Sequence, residues 1–142
     1  SRGLGDVYKR QVQQLPGAEY AAREVCTDKN SITGELAGAY PPIPGLTTYR
    51  RSVSVREQGI TLRDETDHPG TVELTLLTEQ QPVPAADGFV VGTLGGIRFD
   101  PDAVTAAVAP VSITDPRLRT AWPETIYKIT LHFQKMLDLE LY

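Results

Sequence analysis

The sequence predicts an all-β fold, an antiparallel β-sandwich of two layers that forms part of a larger sandwich domain. Three observations predict it. Apolar residues fall on a period of two from residue 47 onward, turn residues recur about every ten positions, and no apolar pattern sustains a helix of about ten residues. A period of two puts alternate side chains on one face of an extended segment, so half of each segment can be buried against a second layer.

Ser1 to Gln11, SRGLGDVYKRQ, carries four charges, two glycines and no sustained period. It reads as a non-native leader, with a genuine disordered tail as the other reading. The native sequence is then expected to begin near Val12, inside a larger protein, with a single sandwich domain over residues 12–142. A strand is expected over Tyr20 to Thr27, followed by a turn at Asp28-Lys29-Asn30. AYPPIPG, Ala39 to Gly45, reads as a rigid loop within the domain.

Residues 48–64 read as a hairpin. Tyr49, Arg51, Val53 and Val55 share one face of its first strand, and Arg50, Ser52, Ser54 and Arg56 share the other. Glu57-Gln58-Gly59 makes the turn, and Ile60 and Leu62 share a face of the return strand. TVELTLLT then sets Val72, Leu74 and Leu76 against Glu73 and Thr75. The prolines at 82 and 84 restrict Gln80 to Gly88 to a loop or an edge segment, since proline donates nothing to a ladder.

Short strands follow at Phe89 to Val91 and Ile97 to Phe99. The alanines of Val104 to Val111 allow a helical turn, but Pro110 and the β-branched residues favour a strand. After a loop or single helical turn from Asp115 to Thr120, Tyr127, Ile129, Leu131 and Phe133 alternate with Lys128, Thr130, His132 and Gln134. Leu137, Leu139 and Leu141 continue the alternation to the end.

With 142 residues, 40% apolar and 23% charged, the chain can bury roughly two-thirds of its unfolded surface without disulfide or metal. Cys26 is the only cysteine, so no intramolecular disulfide forms, and its place in a strand makes it a candidate core residue. The formal charge of −4 provides no global field for nucleic acid or an anionic membrane surface. No run of about eighteen apolar residues is present. The compartment stays open.

Chemistry-bearing motifs are sparse. His132 takes the polar face of a strand. His68 stands in DETDHPG beside Asp64, Glu65 and Asp67, a group that could hold a cation or simply form an acidic turn closed by Pro-Gly. No G-x-S-x-G occurs, and the glycines from Gly92 to Gly96 lie between two strands rather than before a helix, which fails the context of a phosphate cradle.

Arg50, Arg51, Arg56 and Arg63 cluster on the hairpin. Guanidinium groups offer planar paired donors to the carboxylates and sulfates of acidic sugars, although a solvated strand face with ordinary charges is the commoner origin of such a cluster. Trp122 could stack on a sugar ring or serve as a packing anchor, as could Tyr127. Arg50, Arg51 and Trp122 are therefore the candidate substrate-binding residues, with no catalytic residue and no metal ligand assigned.

QQLPGAEYAAREV (13–25) and ELAGAYPPIPGLTTYRRSVSVREQGITLRDE (35–65) resemble the C-terminal β-sandwich of heparinase II/III-like polysaccharide lyases. The likeness lies in a Gln-x-x-Gly-x-x-Tyr-x-Ala opening, an Ala-Tyr-Pro segment and an arginine-bearing strand followed by an Asp after the hairpin. TDPRLRTAWPETIYKITL (114–131) is similar to the family's closing pattern, with Pro123 where a glycine is expected.

The resemblance implies a bacterial parent protein that cleaves uronate-containing polysaccharides, such as glycosaminoglycans, by β-elimination. It further implies that the reacting groups lie on an N-terminal helical domain, the partner absent from this chain, and that some intact members hold a divalent metal. No catalytic or metal residue carries over to a position here, and no cofactor is expected in this chain. The expected role is an accessory and scaffold sandwich whose unpaired edges favour self-association. A stand-alone carbohydrate-binding or adhesion sandwich is the alternative, and a ligand-free structural domain is a third.

Overall fold

The computed structural model describes residues 12–93 and 95–142. The proposed leader, residues 1–11, lies outside the described residues. The fold is all-β, with two antiparallel sheets packed face to face as the alternation requires.

The larger sheet has eight strands in the order β1 (Arg23–Thr27), β2 (Ser31–Glu35), β3 (Tyr49–Arg56), β4 (Gly59–Thr66), β11 (Met136–Leu141), β8 (Gly95–Arg98), β7 (Gly88–Val91), β6 (Pro82–Ala85). The smaller has three, in the order β5 (Val72–Thr78), β10 (Thr125–Phe133), β9 (Thr105–Ser112). Helical structure among the described residues is confined to three-residue 3-10 turns.

The expected hairpin forms with Arg56 opposite Gly59, so Glu57 and Gln58 make a two-residue turn. Gly59 has φ +150°, and a Cβ there would collide with the backbone carbonyl of Leu141 on neighbouring β11. Only glycine fits this position. The strand read over residues 20–27 begins later, at Arg23, because Ala18–Tyr20 forms a 3-10 turn. The proline-bearing segment is β6, an edge strand, and the strand read over residues 104–111 is β9, shifted by one residue to Thr105–Ser112.

The core lies where the inner faces meet. Ile129 and Leu131 of β10 are fully buried, with Phe133, Leu137 and Leu139 nearly so. Leu74, Phe89, Ile97 and Tyr49 close around them. Full burial of each such aliphatic or aromatic side chain is worth about 1.5–3 kcal/mol, and that term holds the two sheets together. The chain crosses from the smaller sheet to the larger at Lys135, which takes φ +63° between β10 and β11. The Lys135 carbonyl accepts from Thr66 N–H at 2.8 Å, and its ammonium donates to the Asp67 carbonyl at 2.8 Å.

Cys26 departs from expectation. It is exposed rather than buried, because β1 is the edge of its sheet and Cys26 stands opposite Thr33, whose hydroxyl meets Ser52 on the outer face.

Candidate functional site

Arg51 on β3 faces Asp64 on β4 directly across the ladder. Its Nε and Nη2 donate to the two carboxylate oxygens of Asp64 at 2.7 Å each, the planar fork that only arginine supplies. The Tyr49 hydroxyl donates to the same carboxylate at 2.6 Å. Asp64 is fully buried, while the Arg51 side chain keeps 32% exposure and reaches the edge of the core.

The electrostatics follow from this contact. Hydrogen bonding to Asp64 holds Arg51 more firmly protonated than a free guanidinium. Burial, reinforced by the neighbouring Asp64 charge, pushes the Tyr49 hydroxyl well above the ordinary tyrosine range, so it stays a neutral donor. Burial also raises Tyr40. The Tyr40 ring lies 6.2 Å from that of Tyr49, placed there by the proline-rich loop.

That loop is tied down at both ends. Glu35 accepts from Ala37 N–H at 2.9 Å and Tyr49 N–H at 2.7 Å. Asp67 accepts from the Thr47 and Thr48 N–H groups at 2.9 and 3.0 Å and from the Thr47 hydroxyl. These bonds depress the Asp67 carboxyl well below its usual range, the Thr47 hydroxyl contributing most.

An open cleft of about 800 Å³ runs along this region, lined in part by Gln13, Gln14, Tyr40, Arg51, His68 and His132. It runs along β5, the edge strand of the small sheet. Leu74 of β5 faces the core, whereas Glu73 pairs with His132 at 3.0 Å on the outward face of the small sheet. The imidazole and the guanidinium therefore stand on opposite sides of β5. Inside the cleft, His68 keeps a buried Nδ1 with no hydrogen-bond partner among the described residues.

The candidate binding residues do not converge. Arg50, one residue from Arg51, points to the outer face and pairs with exposed Glu24 at 3.1 Å. Trp122 lies in the segment between β9 and β10 with 45% exposure. Arg63 pairs with Glu65 and Asp138 on the outer surface.

The acidic group around His68 is also dispersed. Asp64 serves Arg51, Glu65 serves Arg63 and Asp67 caps the loop, and no group of three or more His, Cys, Asp or Glu side chains converges among the described residues.

Sequence reasoning did not single out Tyr40 and Tyr49 as cleft residues. A signal for the Arg51–Asp64 pair was present: counting back from a two-residue turn at Glu57-Gln58 brings those positions opposite one another. No protein-family model and no curated protein matches this chain.

Proposed function

We propose that this chain is the accessory and scaffold β-sandwich of a heparinase II/III-like polysaccharide lyase acting on uronate-containing polysaccharides by β-elimination. The catalytic toroid is supplied by polypeptide other than this chain. One observation supports the reading above others: two of the three segments that carry the resemblance meet at a single cleft. Gln13 and Gln14 of the opening motif, Tyr40 of Ala-Tyr-Pro and Arg51 of the arginine-bearing strand line it together, with Asp64 fixing Arg51 from behind.

Chemically, β-elimination needs a base at C5 of the uronate, an acid for the leaving oxygen and a group that neutralises the carboxylate. Arg51 suits the last of these. Two of its five N–H donors are committed to Asp64, and its position is fixed by a buried partner rather than by solvent.

The test has two arms. Incubated alone with heparin, heparan sulfate and other uronate glycans, the chain forms no unsaturated uronate; turnover by the isolated chain overturns the scaffold reading. Joined to its upstream reading frame, the same sandwich supports turnover that falls on Arg51→Lys, which keeps a cation beside Asp64 but loses the paired donors.

A second reading, a stand-alone glycan-binding sandwich, is favoured by the exposed ring of Trp122. It requires glycan retention by the isolated chain that is lost on Trp122→Ala and Arg50→Ala.

A further inference from the structure

His68 lines the same cleft as Arg51, and the end of β4 puts it there. Asp64, on the rung of Arg51, and Thr66, on the rung of Tyr49, are both buried. A period of two carries that inward side on to His68, two residues past the end of the strand.

The chain is held on both sides of it. The Asp67 carboxylate accepts from the Thr47 and Thr48 N–H groups. The His68 N–H donates to Thr66 Oγ1 at 3.1 Å, and that hydroxyl donates to the Thr48 carbonyl at 2.8 Å. Pro69 lies against Gly45 of the proline-rich loop, so closely that a Cβ on Gly45 would stand 2.7 Å from its Cδ. The imidazole itself is free of hydrogen bonds among the described residues, so the backbone alone positions it.

Its two nitrogens differ. Nδ1 is sealed from solvent, so a proton there would bury an N–H with no acceptor. A proton on Nε2 leaves Nδ1 a bare lone pair and makes Nε2 the donor. Gly70 keeps that atom clear. A Cβ on Gly70 would stand 2.9 Å from Nε2, nearer than to either adjoining ring carbon at 3.6 Å. Gly70 lies outside the left-handed region, so what its missing side chain provides is room in front of the ring.

We propose that His68 is a second ligand-binding residue of the cleft, whose Nε2–H donates to an uncharged oxygen of the glycan on a sugar next along the chain from the uronate at Arg51. The proposal rests on the reading of the cleft as the site of a uronate polysaccharide. Asp64 and His68 are four residues apart, about 13 Å of extended chain, which is longer than one pyranose ring. The cleft therefore takes an oligosaccharide, and its volume of about 800 Å³ has room for one.

Titration calorimetry with an unsulfated tetrasaccharide of alternating glucuronate and N-acetylglucosamine tests this. The wild-type chain binds it. His68→Ala and Gly70→Ala each weaken binding about three- to tenfold, the range of one hydrogen bond between neutral groups, while the circular dichroism spectrum stays strand-rich. His68→Gln, whose amide nitrogen reaches the place of Nε2, keeps most of the affinity. His68→Asn, whose amide reaches only the place of Nδ1, does not.

Long-range proton–nitrogen correlation spectra of the wild-type chain at mildly alkaline pH decide the matter if a variant fails to fold. The ring proton of His68 is on Nε2, and the tetrasaccharide shifts that nitrogen whereas glucuronate alone, held at Arg51, does not. A proton on Nδ1, or an Nε2 that the tetrasaccharide leaves unmoved, overturns the proposal.

Binding that falls on Arg51→Lys but is indifferent to His68→Ala and Gly70→Ala overturns the role of His68 and leaves the reading of the cleft standing. Binding lost on Trp122→Ala and Arg50→Ala but not on Arg51→Lys, or no binding at all, overturns both.

Discussion

Arg51 and Asp64 form a two-pronged ion pair across the β3–β4 ladder in which one partner is fully buried and the other opens onto a cleft. The asymmetry decides which side matters more for stability. Removing the arginine leaves a carboxylate with no access to water, retaining only the Tyr49 hydroxyl. Removing the aspartate leaves a guanidinium that water can reach.

Arg51→Ala is therefore expected to cost more than Asp64→Ala, with breakage of a buried pair worth about 3–5 kcal/mol. Replacing both by apolar residues of similar size, Arg51→Met with Asp64→Leu, recovers most of the loss because no charge is stranded. Urea unfolding midpoints of the four proteins measure this; equal cost for the two single variants contradicts it.

Ile129 on β10 is completely buried, while Leu77, opposite Lys128 on the outward face of the same sheet, is 59% exposed. Ile129→Ala removes contacts on all sides and leaves a cavity, so it is expected to cost about 2–5 kcal/mol. Leu77→Ala stays within about 0.5 kcal/mol. Thermal unfolding separates them, and comparable losses contradict the placement of the core.

The fold was legible in the sequence where one side of a strand is buried and illegible where neither is. Residues 127–133 and 137–141 alternate because β10 and β11 flank the core, and they were readable as strands. β2, Ser31–Glu35, was missed: it is five residues long, contains Gly34 and has no fully buried residue, so no alternation of buried and exposed positions marks it.

Cys26 fell in the expected strand but on the wrong side of it, since an edge strand outside the second layer gives its residues nothing to be buried against. The site shows the same division. That Arg50 and Arg51 point to opposite faces follows from the period of two alone. That Arg51 meets Asp64, and that Tyr40 lies against Tyr49, depends on register and loop closure, which involve residues far apart in the chain.

Gly59 offers a test of the hairpin. Gly59→Ala combines a φ of +150°, which a side chain strains to adopt, with a collision against a backbone carbonyl that cannot rotate away. Strain of this kind costs about 1–3 kcal/mol. Gly38→Ala is the control, because a Cβ there meets only the Arg23 side chain at ordinary distances of 3.5 Å and beyond. Denaturant unfolding should show a clear loss for the first and little change for the second.

Asp67 links the loop to acid stability. Its carboxylate accepts from the Thr47 hydroxyl and from two backbone N–H groups, which lowers its folded-state titration below the ordinary value of 3.8. A carboxyl depressed by folding stabilises the native state fully above the unfolded value, and the contribution is lost as pH falls through the folded one. Asp67→Ala is therefore expected to be less stable than wild type at neutral pH, with the gap closing as pH falls below 3.8. Urea midpoints measured at neutral and strongly acid pH check both parts. A gap that stays constant on acidification would mean that the loop is held by something other than the ionised carboxylate.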